Sequence, residues 1–501
     1  MNNFLLFTDC VDTVFISKTI GAYKCAHALR SNDYSCLVVD HLHSFNIDEF
    51  KALIDKTVTK DTLAVGFSTT FFLNTNVPLN ADESITYTEL SGDTFFPQGK
   101  QFEQVAIDYI KSINPKCKIL IGGPKIGSAC QNRNVDYALI GFAESSIVNL
   151  ANHLSKNTIL ANSVKNLWGV ILIDDRYAAS YDFKNTPFKW LPQDIVNSRV
   201  LPIEIGRGCI FKCKFCAYPM TGKKNLDFIK AAELLKEELQ ENYDNYGITT
   251  YWIVDDTFND NEYKLNLIRD VVKQLTFQPI FWAYIRLDLL HSKKQIDILY
   301  DIGIRGFYFG VETLNKKAGA VVGKGFDPAK QIESIRELRQ RYGNTVQLHG
   351  SLIIGLPNED EESVRYTFDR LISQDIPLHS FDFKPLMIDT INPFLWSSEF
   401  SKNYKDYGYK ELGVVGKFID WQNEHMTFSH AQDIAKEFKS ISVESDDFHI
   451  SAWVLWSLKN FGHDNFEELI GLKFKEGDWH NWSKQKEQYI RNYKEQLWKL
   501  I

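Results

Sequence analysis

The chain has 501 residues, 44% of them hydrophobic, 14% aromatic and 8 of them Cys, with a formal net charge of −8, which is enough apolar material for cores in roughly two to four domains. No apolar run reaches the ~18 residues of a membrane helix, and Met1-Asn-Asn-Phe-Leu-Leu-Phe-Thr-Asp9 lacks the basic start and apolar length of a signal peptide, so a cytosolic location is expected. The acidic balance argues against a protein devoted to gripping a phosphate backbone and favours a small-molecule or peptide substrate.

The first third of the chain alternates short apolar runs with helical periodicity. Strands are expected at 4–7, 36–39, 62–67, 117–121 and 137–140, and helices at 20–29, 50–54 and 105–113. The economical solution is a doubly wound, Rossmann-like parallel sheet over residues 1–155. The polar stretch from Phe72 to Lys100 is too long for an ordinary connection and reads as a lid or an ornament. Residues 156–198 read as a connector with one short strand pair around Trp168-Gly-Val-Ile-Leu-Ile173.

From Leu201 the alternation restarts, with strands at 202–205, 250–254, 280–285, 306–309, 346–354 and 381–386 and helices at 231–243, 265–275, 294–302, 329–341 and 361–371. This is a partial (β/α)6 barrel over residues 199–390, and such barrels put their chemistry at the carboxyl ends of the strands. Residues 391–501 are rich in Trp, Lys and Glu at helical spacing and read as a helical C-terminal domain. Its tryptophans, Trp453, Trp456, Trp479, Trp482 and Trp498, read as packing. His27, His41, His43 and His425 stand alone in the sequence and read as core or surface residues.

Cys209, Cys213 and Cys216 follow the first strand of the second unit, in Ile205-Gly-Arg-Gly-Cys-Ile-Phe-Lys-Cys-Lys-Phe-Cys-Ala217. Chance alone would place Cys-x3-Cys-x2-Cys in such a chain about 0.002 times, so the spacing is not a coincidence of composition. Three thiolates on one loop can hold three irons of a 4Fe-4S cube and leave the fourth open to another ligand. A zinc knot is the plain alternative, but zinc closes four ligands and neither a His nor a fourth Cys follows closely enough. Cys10, Cys25, Cys36, Cys117 and Cys130 have no disulfide-like spacing and read as reduced core thiols.

This segment resembles the radical S-adenosylmethionine (radical SAM) family, in which an aromatic residue precedes the last Cys, as Phe215 does here. The resemblance implies that Cys209, Cys213 and Cys216 carry a 4Fe-4S cluster whose open iron is chelated by S-adenosylmethionine, cleaved by one electron to methionine and a 5′-deoxyadenosyl radical. It also implies cofactor contacts at the later strand ends. Asp255 and Asp256 are expected at the amino group, with capping of the next helix as the alternative. Arg286 is expected at the carboxylate, with a barrel-rim ion pair as the alternative. Glu312 is expected at the ribose or amine. The run His349-Gly-Ser-Leu-Ile-Ile-Gly-Leu-Pro-Asn-Glu359 is expected against the adenine through its backbone, Ser351 and Gly355 included, with a plain buried strand ending in a Gly-Pro turn as the alternative. Ser351 replaces a usual Gly there, and Asn358 a common acid.

The amino-terminal sheet is similar to the cobalamin-binding domain fused to one branch of that family. Ser68 and Thr69 after one strand, and Gly122 and Gly123 after the next, are the small residues against which a corrin and its nucleotide tail would lie; Gly141-Phe-Ala-Glu144 occupies the following strand end. Thr8-Asp-Cys-Val-Asp-Thr13 has no Asp-x-His-x-x-Gly, so that loop offers the cobalt no lower ligand. With cobalamin the implied reaction is methyl transfer to an unactivated centre, fed by an electron donor such as a flavodoxin or ferredoxin. The alternatives are a methylthiotransferase, which in the resembling family needs a second cluster from three amino-terminal cysteines and for which Cys10, Cys36 and Cys117 are numerous enough but poorly placed, a cobalamin-free radical SAM enzyme, or a non-catalytic iron-sulfur or zinc module. A membrane partner is not expected, and nucleic acid is disfavoured.

Overall fold

The computed structural model describes residues 2–9, 16–68, 99–123, 134–166, 169–175, 181–217, 228–290, 293–324, 327–391, 396–415, 418–444, 452–470, 472–473 and 477–501. Cys10, Thr69, the stretch 69–98, Pro124, Cys130 and Trp168 lie outside them. Among the described residues there are two main sheets and a hairpin.

The amino-terminal sheet has the order β2-β1-β3-β4-β5-β7-β6, formed by β1 (Phe4–Phe7), β2 (Cys36–Val39), β3 (Ala64–Ser68), β4 (Lys118–Gly122), β5 (Tyr137–Ile140), β6 (Ser163–Lys165) and β7 (Ile171–Asp174). Every pair is parallel except β6 with β7. The strand pair expected in a connector therefore extends this sheet. The order reverses between β1 and β3, and a crevice opens at such a switch point beyond the carboxyl ends. β1 and β2 are buried throughout and uniformly apolar, as a sheet covered on both faces requires.

One face packs on helices Ile20–Arg30 and Ala143–Lys156, the other on Ile47–Thr57 and Gly99–Ile113. Asn46 caps Ile47–Thr57 through Asp48 N–H and Glu49 N–H, and Glu49 returns a bond to Asn46 N–H. The second face is completed from the far end of the chain. Tyr493 and Leu497 of helix Asp478–Leu500 join its core, and Tyr493 Oη accepts from Asp40 N–H at 2.7 Å.

The second sheet, β13-β12-β11-β10-β9-β8, is wholly parallel: β8 (Val200–Ile203), β9 (Thr250–Ile253), β10 (Ile280–Ile285), β11 (Ile304–Glu312), β12 (Gln347–Ile354) and β13 (Ser380–Pro385). Register follows from alternation: Tyr284, Tyr308, His349 and Ser380 fall in one inward layer, and Gly310, Ser351 and Asp382 in the next. The amino-terminal end is plugged by helix Ala452–Asn460, whose Trp456 lies 4.5 Å from Trp252 and 5.5 Å from Trp282, ring to ring. Chemistry is left to the carboxyl end.

The C-terminal segment is mostly helical but does not gather into one cap. It contributes a hairpin of β14 (Lys410–Val415) and β15 (Phe418–Gln422), a helix Phe428–Glu444 against β13, the plug, and the last helix against the amino-terminal sheet. Among the described residues no helix is long and apolar enough to cross a membrane.

Candidate active site

The cysteine loop leaves β8 and is pinned from several sides. Arg207 N–H bonds Phe228 O at 2.9 Å, Lys214 N–H bonds Val322 O at 3.1 Å, and Phe400 N–H bonds Lys214 O at 3.0 Å. Cys209 Sγ accepts from Phe211 N–H at 3.4 Å and lies 3.3 Å from Thr257 Oγ1; burial pushes its thiol up. Cys213 Sγ accepts from Arg286 Nη1 at 3.2 Å.

The loop closes one side of a cavity of about 200 Å³ at the carboxyl end of the barrel. Of the residues expected from the sequence, Cys209, Cys213, Cys216, Phe215, Asp256, Arg286, Glu312 and Ser351 line it. Phe211, Thr257, Tyr284, Tyr308 and Lys324 line it too and were not expected. Tyr284 and Tyr308 had a signal in period-two alternation, since each is two residues before an expected or Gly position on its own strand. Lys324 had only its place after the helix-ending Gly323. Among the described residues no three His, Cys, Asp or Glu side chains gather closely enough for a single metal ion. Three thiols from one loop in the lining of one cavity are a donor set that fits a multi-iron cluster held at three corners.

Charge is arranged unevenly. Burial, then the adjacent Asp255, raise the Asp256 carboxyl to about 7. Glu312 sits at φ 63, a left-handed conformation that a glutamate keeps only when its surroundings enforce it. Burial raises its carboxyl, opposed by Lys324, whose Nζ is 3.4 Å away and donates to Gly310 O at 2.9 Å. A Cβ on Gly310 would fall 2.5 Å from Glu312 Oε1, so a side chain there would displace the Glu312 carboxylate from its present position.

Arg286 faces the cavity with its donors engaged: Nε and Nη2 bond Asp288 at 2.8 and 2.9 Å, Nη2 also bonds Gly323 O at 3.0 Å, and the guanidinium lies 3.7 Å over Phe211. It is the barrel-rim ion pair, and it orients Cys213; bidentate capture of a carboxylate would require Asp288 to let go.

Two expected contacts are placed elsewhere. Asp255 turns away from the cavity, accepting from Ile205 N–H at 2.8 Å and Lys264 Nζ at 3.3 Å, because the loop start and the following helix both need a buried acceptor. Gly355, at φ 92, has its open side filled by Trp421, 2.3 Å from where a Cβ would stand, and its carbonyl accepts from Tyr409 Oη at 2.7 Å. It is a packing glycine under the hairpin.

At the amino-terminal sheet, Ser68 and Gly122 end adjacent strands in register, and Gly123 follows at φ 122. A Cβ at Gly122 would meet only Leu139, at ordinary contact distance, so packing within the sheet does not itself require glycine there. His43 is not solitary: its Nδ1 lies 2.7 Å from the buried Asp9 carboxylate. Cys36 and Cys117 are buried in the core, which pushes both thiols up to about 12, so neither is offered to a second cluster.

Residues 203–371 match the model of the Radical SAM superfamily. An uncharacterized methyltransferase of Pyrococcus horikoshii is 27% identical over 299 residues, 54% of this chain, and the match spans about three fifths (61%) of that relative's length. The bacteriochlorophyllide d C-12(1)-methyltransferase of Chlorobaculum tepidum is 21% identical over 371 residues, 67% of this chain and 77% of the relative. Among solved structures, the radical S-adenosylmethionine methyltransferase TsrM of Kitasatospora setae, with cobalamin and a [4Fe-4S] cluster bound, aligns with a TM-score of 0.61 over 99% of this chain and 100% of its own, at 14% identity. The cobalamin-dependent S-adenosylmethionine radical enzyme OxsB aligns with a TM-score of 0.62 over 99% of this chain and 81% of its own, at 13% identity. At these identities the likeness is one of fold, amino-terminal sheet included.

Proposed function

We propose, from a barrel whose residues 203–371 match the Radical SAM superfamily model, that the chain is a cobalamin-dependent radical SAM methyltransferase acting on an unactivated centre. The observation that carries this reading is the single cavity shared by Cys209, Cys213, Cys216 and the charged residues Asp256, Glu312 and Lys324. When bound, the cluster supplies one electron to the sulfonium of S-adenosylmethionine and cobalamin supplies the transferable methyl group.

The chain's own residues do the holding. Cys209, Cys213 and Cys216 tether three irons, Arg286 and Thr257 orient two of the sulfurs, and Phe215 covers the loop. Asp256 and Glu312 accept from the ammonium of S-adenosylmethionine, Lys324 takes its carboxylate, and Ser351 lies toward the nucleoside. Ser68, Gly122 and Gly123, with Thr69 beyond the described residues, form the cobalamin cradle. A flavodoxin or ferredoxin delivers the electron. The burial of Cys36 and Cys117 weighs against methylthiotransfer.

Anaerobic reconstitution with iron, sulfide and hydroxocobalamin tests this. About four irons per chain, a bound cob(II)alamin signal, and transfer of labelled methyl from S-adenosylmethionine to the cobalamin are expected. Stoichiometric zinc, or an intact cluster that leaves S-adenosylmethionine uncleaved, would refute the reading.

A further inference from the structure

The inner wall of β12 and β13 carries a polar chain that the reading above does not use. Ser380, Asp382 and Lys384 face the lumen, because Phe381 and Phe383 turn outward onto Phe368, and Phe383 also onto Phe438. Asp382 is in register with Ser351, which lines the cavity. Asp382 Oδ1 lies 3.3 Å from His349 Nε2, and His349 Nδ1 lies 2.8 Å from Ser380 Oγ.

His349 is buried and Ser351 also bonds the Asp382 carboxylate, which is nevertheless 29% exposed and so keeps one side open to a further donor. Lys384, 3.2 Å from Oδ2, is itself 59% exposed and screened by solvent. Burial alone would raise the carboxyl, but the bond to His349 and the charge of Lys384 outweigh it and bring it down to about 2. The Tyr308 ring packs 4.6 Å from His349 and 5.0 Å from Tyr284, and both tyrosines line the cavity. The carboxylate is therefore linked through His349 to Tyr308 and through Tyr308 to Tyr284, and it neighbours Ser351 of the cavity that the three thiols line.

We propose that Asp382 is the substrate anchor: it takes the hydrogen-bond-donating nitrogen of a flat, nitrogen-bearing substrate whose ring packs on Tyr308 and Tyr284. The inference rests on the reading of the cavity as the reaction site. A carboxylate fixed by a buried histidine needs no rearrangement to receive a donor, and in a partly desolvated lumen the charge-assisted bond selects a cationic or N–H partner over a neutral or anionic isostere. His349 acts through Asp382 as a positioning residue.

The probes are benzamidine, a ring with an in-plane cationic donor pair, and its isosteres benzamide and benzoate, titrated into the full, cluster-loaded chain by calorimetry, with S-adenosylmethionine titrated separately. Benzamidine is expected to bind at least about tenfold more tightly than benzamide or benzoate, and Asp382→Asn to abolish that preference, a difference of the size of one charge-assisted bond. S-adenosylmethionine affinity stays within about twofold in the variant. Equal binding of the three probes to the unaltered chain would overturn the proposal without any variant. An unchanged benzamidine preference in Asp382→Asn would overturn it as well. A parallel loss of S-adenosylmethionine binding in that variant would do the same, by reassigning Asp382 to the cofactor. Failure of the unaltered chain to bind S-adenosylmethionine would instead strike the reading of the cavity itself.

Discussion

Glu359 sets a pH dependence that can be worked from its surroundings. It is 3% exposed, Thr313 Oγ1 donates to its Oε1, and its Oε2 has no hydrogen-bond partner among the described residues. Burial raises its carboxyl to about 8, with the Thr313 bond opposing. In the unfolded chain the group titrates at about 4.3. Between those values the folded state holds a proton that the unfolded state has released, so folding stability falls as pH rises through that window. At ~1.4 kcal/mol per unit, the loss from this group approaches ~5 kcal/mol by pH 8, an upper figure because local relaxation shares the charge. Glu359→Gln keeps the shape and the acceptor for Thr313 while removing the titration. Differential scanning fluorimetry of both proteins at pH 5, 6.5 and 8 is the assay. The variant should match the unaltered protein at pH 5 and melt progressively higher than it at the two upper values. A melting difference that stays constant across the three would refute the reasoning.

Cys213→Ala should lower bound iron from about four per chain to near background after reconstitution, because two thiolates do not hold the cube, as iron and sulfide analysis will show. The adjacent aspartates should separate cleanly. Asp255→Asn is expected to cost ~3 kcal/mol in urea unfolding by leaving the buried Lys264 with Asp260 as its remaining carboxylate beside the Thr257 carbonyl; Asp256→Asn is expected to leave unfolding unchanged while weakening S-adenosylmethionine about tenfold in equilibrium dialysis. Arg207→Met strands Glu144 and part of the charge on Glu204 in a buried site, and a loss of ~3–5 kcal/mol is expected in the same unfolding measurement.

Local patterns made the two parallel sheets legible, since strands buried on both faces read as short apolar runs and their helices as 3.6-residue periodicity. The thiolate loop was legible because its ligands are close in the chain. What stayed hidden depends on contacts between distant residues. Asp255 and Asp256 are indistinguishable in sequence, yet alternation past the end of β9 sends one inward to Lys264 and the other to the cavity. At Gly355 the side where a Cβ would stand is filled by Trp421, a residue far along the chain. His43 found Asp9, and the last helix found the amino-terminal sheet, across separations that no periodicity encodes.

The two sheets are joined where their chemistry would meet. Arg207, two residues before Cys209, reaches Glu204 with Nε at 2.7 Å and Glu144 with Nη2 at 2.6 Å, while Lys24 of helix Ile20–Arg30 pairs with Glu204 from the other side. Burial would raise Glu204, but Arg207 and Lys24 outweigh it and hold its carboxyl far below the usual range. Phe142, Tyr181 and Phe183 pack around the guanidinium at 4.1, 5.2 and 4.7 Å. Two cations balance two anions out of water, an arrangement that adds little net stability but tolerates almost no displacement, because moving one member leaves another unpaired. Glu144 begins the helix after β5, at the carboxyl edge of the amino-terminal sheet, and Arg207 begins the cysteine loop. The ion cluster therefore fixes the spacing between the carboxyl end of the amino-terminal sheet and the thiols, which is the distance that a group carried on the first sheet, under the function proposed above, would have to bridge.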